Sequence, residues 1–171
     1  MCCVCPFCPV DWPCCFINRK AAMQHQRAEK TKHNPSDWDA KTGPGRLMDS
    51  EFLAQTAALR AGEPQRGTDE QLRAGRESGF LSGPEAETLL AAWRLCWTLR
   101  TAGRLLTDRD PGPQGLGQGG CAFLLRETGA ETAADLTLRL RVASGAAAAV
   151  IAAKLGKEQR DGETGDAVDR S

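Results

Sequence analysis

Apolar residues recur at helical spacing in several segments of the chain. In the first of these segments Met48, Phe52 and Leu59 fall on one face of a helix, and Leu53 and Ala57 widen that face. The spacing predicts an amphipathic helix that begins just before the first of these residues. A loop rich in glycine and charged residues follows it.

Two short polar motifs predict where the next helices begin. Thr68-Asp69-Glu70-Gln71 has the form of a capping box with its threonine as the cap, and Gly79 suits the left-handed position after the last turn. Ser82-Gly83-Pro84-Glu85 is a second capping box, in which the proline is tolerated because it lies in the first turn. It opens the longest predicted helix, which we expect to end near Thr107.

The last third of the chain predicts two more helices. Cys121–Glu127 has the apolar content of a short helix. A longer helix is expected from Thr132, whose hydroxyl would cap it, to Leu155, with Gly156 as its stop. Lys157–Ser171 is charged and poor in apolar residues, so we expect this tail to be disordered.

These segments predict an all-α fold, a bundle of about five to six helices. Ala, Leu and Gly dominate the composition while Val and Ile are scarce, which favours helix over strand. The helical domain would cover residues 19–156, between an extraneous leader (1–18) and the tail (157–171). The expected core consists of large apolar residues on the predicted helices: Met48, Phe52, Leu89, Leu90, Trp93, Trp97, Phe123 and Leu136.

Composition and charge exclude several classes of protein. With 171 residues, 41% of them hydrophobic and 26% charged, the chain suits one globular domain. Lys+Arg and Asp+Glu are both 22, whereas a dedicated nucleic-acid-binding protein would show a basic excess. No stretch approaches the roughly 20 consecutive apolar residues that span a bilayer. We therefore expect a cytoplasmic protein with neither nucleic acid nor membrane as a partner.

The cysteines are crowded at the N-terminus, where six of the eight lie within the first fifteen residues. Disulfide scaffolds distribute their cysteines through the fold, so this clustering argues against one. Cys5 and Cys8 form a C-x₂-C pair, and Cys2 with Cys5 forms another. A structural zinc site needs four ligands from two separate pairs, and these pairs share Cys5. Two interpretations remain open, an extraneous leader and a zinc-dependent module. His25 and His33 receive no role.

Two other features have a functional and a plain interpretation. Gly115-x-Gly117-x-x-Gly120 matches the dinucleotide-binding fingerprint by letter, but that fingerprint works between a strand and a helix, and here it follows a predicted helix. Arg19–Arg46 contains seven basic and three acidic residues. Such a basic segment either meets nucleotide phosphates or forms an ordinary solvated face.

The stretch Lys41–Gln55 joins a turn rich in glycine to the start of the first helix. Its sequence is Lys-Thr-Gly-Pro-Gly-Arg-Leu-Met-Asp-Ser-Glu-Phe-Leu-Ala-Gln. Asp49 and Glu51 fall in the first turn, where free N–H groups and the helix dipole favour negative charge. Residues two apart do not share a helix face, so the two carboxylates point differently. The pattern by itself favours an ordinary acidic helix start over a binding site.

The same stretch resembles a motif of the bacterial glutamine-synthetase adenylyltransferases, which both transfer and remove adenylyl groups. The similarity extends over about residues 19–155, at the C-terminal end of the adenylylating half. Arg46 stands where many members have a second glycine, and Ser50 stands where an aliphatic residue is usual. The resemblance implies a helical domain packed behind a nucleotidyltransferase domain, with ATP and Mg²⁺ as cofactors of the full-length enzyme. It also implies AMP transfer to a tyrosine of glutamine synthetase under control of a PII-type signalling protein.

The resemblance also implies where a nucleotide would lie. Its candidate cofactor-binding residues are Lys41, Gly43, Gly45, Asp49 and Glu51, at the border of the active site in the whole enzyme.

The chemistry of such enzymes needs a strand-borne pair of aspartates after a Gly-Ser turn. Asp37-Trp38-Asp39 has the letters of that pair, but Pro35 precedes it and no strand is predicted around it. We therefore expect no catalytic and no metal-binding residue, and a fragment that is inactive without the missing N-terminal part. A non-enzymatic helical interaction module is the alternative.

Overall fold

The computed structural model describes residues 37–62, 65–108, 111–112 and 115–168, with side chains up to residue 156. All of these residues lie in one compact unit, Pro35–Ser171. Within this described part there are five helices and no strand, so the predicted all-α class is confirmed. The helices are α1 Leu47–Ala61, α2 Thr68–Glu77, α3 Gly83–Leu106, α4 Gln118–Thr128 and α5 Ala133–Val168.

The capping signals identify two helix starts correctly and one incorrectly. The Ser82 hydroxyl accepts from the Glu85 N–H at 3.4 Å while the Glu85 carboxylate accepts from the Ser82 N–H at 2.8 Å. Thr132 caps α5 through the N–H of Asp135, at 3.1 Å. The cap of α2 is Gly67 instead of Thr68, because the carboxylate that reaches back is that of Glu70, three residues after the glycine.

The predicted end of α5 at Gly156 is wrong, because the helix continues to Val168. A glycine ends a helix when it adopts the left-handed conformation, as Gly129 does after α4 with φ +67°. Gly156 has no positive φ. Inside a helix a glycine costs only about 1 kcal/mol relative to alanine, which the neighbouring turns can offset.

The α5 segment Ala133–Gly156 is long and apolar enough to cross a membrane, judged by length and composition alone. Its most apolar stretch has a mean hydropathy of 1.4 because alanine and leucine dominate it, so the expectation that no segment comes near this length is corrected. One such helix is weak evidence for a membrane span, since core helices of soluble proteins pass the same test.

Buried apolar residues form two clusters. The tryptophan cluster includes Leu47 at the start of α1, and its buried members are Trp38, Ala40, Leu47, Cys96, Leu99, Ala102, Leu124, Ala130, Leu136 and Leu140. The alanine cluster packs α1 and α2 against α3 and α5, and its buried members are Leu53, Ala54, Ala57, Leu72, Leu81, Ala86, Leu89, Ala92, Ala147 and Ile151. Helices α3 and α5 contribute to both.

The predicted core is partly correct. Phe52, Leu89 and Leu136 are buried, whereas Met48, Leu90, Trp93 and Phe123 are half-buried. Trp97 is 49% exposed, so its assignment to the core is wrong. The buried face of α3 carries Ala92, Cys96 and Leu99. The two tryptophans of α3 lie beside this face instead of on it. Trp97 stacks on the outside of Trp93, with ring centroids 5.7 Å apart.

Candidate functional site

The turn before α1 is organised by a buried carboxylate. Asp39 is 1% exposed, and its Oδ1 accepts from the backbone N–H groups of Lys41 at 2.8 Å and Thr42 at 3.1 Å. Its Oδ2 accepts from the Thr42 hydroxyl. An aspartate that bonds the backbone two and three residues on replaces a backbone turn, so Asp39 fixes the chain leading into the glycine loop.

Gly45 is a point of close approach between this loop and α5. Its φ of +67° lies in the left-handed region, which residues with a side chain rarely adopt. A Cβ added there would lie 2.0 Å from the Ser144 carbonyl oxygen and 2.5 Å from the Ala148 nitrogen. The loop therefore rests directly on the backbone of α5. Gly43 also has a positive φ, +126°, and its carbonyl accepts from the Arg46 N–H at 3.2 Å.

The two carboxylates at the start of α1 have different environments. Asp49 Oδ2 accepts from the Gly45 N–H at 3.2 Å, which ties the helix to the glycine loop. Burial raises the pKa of Asp49 from its ordinary value, and the bond from Gly45 acts in the opposite direction. Glu51 is half-buried and, two residues on, projects from another side of the helix. The structure thus joins Asp49 to Gly45 and separates it from Glu51.

Arg46 and Ser50, the two departures from the adenylyltransferase motif, both take part in this junction. Arg46 Nη1 donates to the Asp39 carbonyl oxygen. Ser50 is fully buried, and its hydroxyl donates to the Gly45 carbonyl at 3.4 Å. Since this bond satisfies the buried hydroxyl, serine is accommodated where an aliphatic side chain is usual.

Cys96 on α3 lies beneath this junction as a neutral thiol. Burial raises its pKa to about 11, and the nearby Arg46 charge and the backbone of Leu47 only partly oppose this. A thiolate is the nucleophilic and metal-binding form, so Cys96 is a packing residue at neutral pH.

The five candidate cofactor-binding residues do not form one pocket. Gly43, Gly45 and Asp49 belong to the loop–helix junction, whereas the exposed Lys41 lines a separate cleft that includes none of the other four. Their role in nucleotide binding stays a prediction. Among the described residues no three His, Cys, Asp or Glu side chains lie close enough to hold a metal ion. The leader cysteines and both histidines lie outside the described residues.

Sequence reasoning missed the residues that hold this junction together. Trp38 is fully buried, and its indole N–H donates to the Thr137 hydroxyl at 2.9 Å. The spacing Asp39-x-x-Thr42 is typical of an Asx turn and could have indicated the buried carboxylate. In the glycine-rich segment before α4, Gly117 is the residue that precedes the first helical turn. That segment follows α3, as expected, so the dinucleotide fingerprint has no strand in front of it.

Comparison with known proteins identifies the relatives of this chain. The family model described as GlnD PII-uridylyltransferase matches residues 15–112, more than half of the chain. The chain belongs to this family. Helices α1 to α3 and the Asp39–Ser50 junction all fall within the part matched to the GlnD PII-uridylyltransferase model.

A curated relative of this family member comes from Caulobacter vibrioides. It is named bifunctional glutamine synthetase adenylyltransferase/adenylyl-removing enzyme, and it is 39% identical over 74 residues. The matched segment covers 41% of this chain and 8% of the relative, so the chain spans a small part of that enzyme's length. The resemblance noted in the sequence is confirmed as a relationship between the two proteins. No solved structure matches.

Proposed function

We propose that this chain is a helical segment of a glutamine synthetase adenylyltransferase and that it transfers no AMP by itself. The observation that carries this proposal is how the motif uses its polar groups. Both carboxylate oxygens of Asp39 and one of Asp49 accept hydrogen bonds from the loop itself. These bonds form a turn that holds the start of α1 against α5, so the polar groups of the motif have a structural role.

The chemistry of AMP transfer also indicates that catalysis belongs to another part of the whole enzyme. Two Mg²⁺ ions on a triphosphate need several carboxylates that converge from rigid elements. Asp49 and Glu51 project from different sides of α1, and Asp49 is already bonded to Gly45. In the whole enzyme the metal-holding carboxylates would come from a nucleotidyltransferase domain. The Lys41–Glu51 loop would border the ATP and Mg²⁺ bound there.

The partners follow from the relatives. The name of the Caulobacter vibrioides protein makes glutamine synthetase the substrate of that enzyme. For this chain we propose glutamine synthetase as a partner in the cytoplasm, together with the missing N-terminal part of the enzyme and a PII-type signalling protein. Each contact would require the assembled enzyme.

The test is incorporation of labelled AMP into purified glutamine synthetase. The chain alone should give no labelling above background, and adding the complementary part of the enzyme should restore some. The variants Asp49→Asn and Glu51→Gln, which keep side-chain shape but remove charge, should weaken the restored activity. Glu87→Gln, on the exposed surface of α3, is the matched control and should leave it unchanged. Labelling by the chain alone would contradict the proposal.

A helical interaction module remains a second candidate because α5 presents apolar side chains to solvent. Leu138 is 57% exposed and Val142, one turn on, is 62% exposed. Adjacent exposed apolar side chains commonly mark contact surfaces. This candidate predicts that the chain binds purified glutamine synthetase without the complementary part, and that Leu138→Ser with Val142→Ser abolishes the binding.

A further inference from the structure

Three cationic side chains line one cleft beside the C-terminal half of α3. Lys41 comes from the loop held by Asp39, and Arg100 and Arg104 lie one turn apart on the helix. The cleft is small and partly open, with a volume of about 20 Å³, roughly the room that one water-sized group needs. Its other lining residues are Trp38, Ala40, Asp108 and Pro111.

The charges of this cleft are not balanced within the described part of the chain. Neither Lys41, Arg100 nor Arg104 forms an ion pair there, whereas Arg73, Arg126 and Arg139 on other helices each pair with a carboxylate. Asp108 is the one carboxylate among the lining residues, so cations outnumber anions three to one. Like charges at i and i+4 on a helix repel each other. An anion in the cleft would relieve that repulsion.

The walls of the cleft are held by buried contacts. Trp38 is fully buried, and its indole N–H is already bonded to the Thr137 hydroxyl. Pro111 packs so closely on α3 that a Cβ added at Gly103 would lie 2.7 Å from the proline ring. The backbone N–H of Lys41 is bonded to Asp39 Oδ1. These contacts fix the backbone from which the three cationic side chains extend, so the side chains start from positions on the same cleft.

We propose that this cleft binds the terminal phosphate of a polyphosphate ligand. Guanidinium groups match phosphate oxygens with paired hydrogen bonds, and a lysine ammonium adds a point charge. A cleft of this volume has room for one terminal phosphate oxygen, so the rest of the ligand would lie outside it. The site does not depend on the proposed AMP transfer, because it shares only Lys41 with the candidate cofactor-binding residues.

The experiment is calorimetric titration of the full chain with inorganic triphosphate at low and at physiological salt. We expect binding that weakens as salt increases. Arg100→Gln and Arg104→Gln should each lower the association constant about tenfold, the usual effect of losing a hydrogen bond between charged groups. Arg94→Gln is the matched control, since Arg94 is exposed on the same helix but does not line the cleft. Unchanged thermal midpoints would show that the variants are folded.

Two further ligands identify what the cleft recognises. ATP should bind about as tightly as inorganic triphosphate, because only the terminal phosphate enters. Citrate, a carboxylate polyanion, should bind more weakly. Three results would overturn the proposal: no titration of the wild-type chain by millimolar triphosphate, equal weakening by Arg94→Gln, or citrate binding as tight as that of triphosphate. Binding of ATP without binding of inorganic triphosphate would also overturn it, because the base would then be the group recognised.

Discussion

The tryptophan cluster and the alanine cluster stabilise the same bundle in different ways. The tryptophan cluster is filled by large side chains, and its Trp38–Thr137 hydrogen bond joins residues 99 positions apart in the sequence. Half of the buried members of the alanine cluster are alanines and the other half are leucine or isoleucine. Its helix backbones lie close together, so that a Cβ added at Gly75 on α2 would lie 2.6 Å from the Ala57 methyl group on α1. Leucines fill both clusters; the tryptophan cluster adds a large aromatic side chain, and the alanine cluster adds the close approach of α1 and α2.

Helix α1 belongs to both cores, which explains the position of the motif. Its first residue, Leu47, lies in the tryptophan cluster, whereas Leu53 and Ala57 lie in the alanine cluster. The glycine loop in front of it sets the angle at which the helix enters both. A change in this loop should therefore disturb more of the molecule than a change inside either cluster.

The largest effect should come from Gly45→Ala. The added methyl group would overlap the backbone of α5 at 2.0 Å, and the φ of +67° is strained for any residue with a side chain. Neither a backbone clash nor this strain can be relieved by a rotamer change. We expect a loss of about 4 kcal/mol or more in the free energy of unfolding, the range of the most damaging single changes. Urea unfolding followed by circular dichroism measures it.

Gly75→Ala should have a smaller effect within the alanine cluster. Its methyl group would meet the Ala57 methyl at 2.6 Å and a Leu81 methyl at 3.3 Å, so α1 and α2 must separate slightly. Overpacking of this kind typically costs about 1–3 kcal/mol. The same urea titration applies.

Gly145→Ala is the matched control for both glycine changes. Gly145 lies inside α5, and an added Cβ there meets nothing within 4 Å. This variant should gain about 0.5–1 kcal/mol, because alanine loses less backbone entropy than glycine in a helix. If Gly45→Ala is as stable as this control, the loop does not rest on α5 as described.

The smallest loss of stability is expected for Glu85→Gln, at the edge of the alanine cluster, and this loss should depend on pH. The Glu85 carboxylate lies 2.8 Å from the Lys154 ammonium, which joins the start of α3 to α5. This bond and, after it, the bond from the Ser82 backbone lower the pKa of Glu85 to about 2. A depressed carboxylate pKa stabilises the fold above the unfolded value of 4.5, and this contribution is lost as the pH falls towards 2. Glu85→Gln should thus be less stable than the wild type at pH 7.

The stability difference between Glu85→Gln and the wild type should shrink from pH 5 downwards and nearly vanish close to pH 2. Denaturant unfolding at several pH values measures it. Glu87→Gln, on an exposed position of the same helix, should show no such trend. A difference that stays constant with pH would show that the Glu85–Lys154 ion pair contributes nothing.

Local signals in the sequence predicted most of the helices. The Ser82–Glu85 capping box and the Thr132 cap each join residues three positions apart, so inspection of a short stretch of sequence is enough to predict them. The orientation of α3 was harder to predict. Two tryptophans one turn apart suggest that their side of the helix faces the core. The side that faces the neighbouring helices instead carries Ala92 and Leu99.

Only part of the junction between the glycine loop and α1 could be predicted from the sequence. Its glycines and acids were recognised as a turn followed by a helix start, and the resemblance to a family assigned them a function. The contact of Gly45 with α5 depends on Ser144, a residue about a hundred positions away. Likewise, the two arginines that line the cleft with Lys41 come from α3, and no local pattern connects them with the lysine. Such contacts arise from the tertiary fold, which short-range periodicity does not encode.

The Trp38–Thr137 hydrogen bond has a consequence for how this protein is made. A ribosome adds about 5–20 residues per second, so the 99 positions between these partners take roughly 5–20 s to synthesise. The alanine-cluster residues of α1, α2 and α3 emerge during that interval and can already pack together. The indole N–H of Trp38, in contrast, lacks its Thr137 partner until α5 has left the exit tunnel. The hydrogen bond between the segment before α1 and α5 can therefore form only after α1 to α4 have been synthesised.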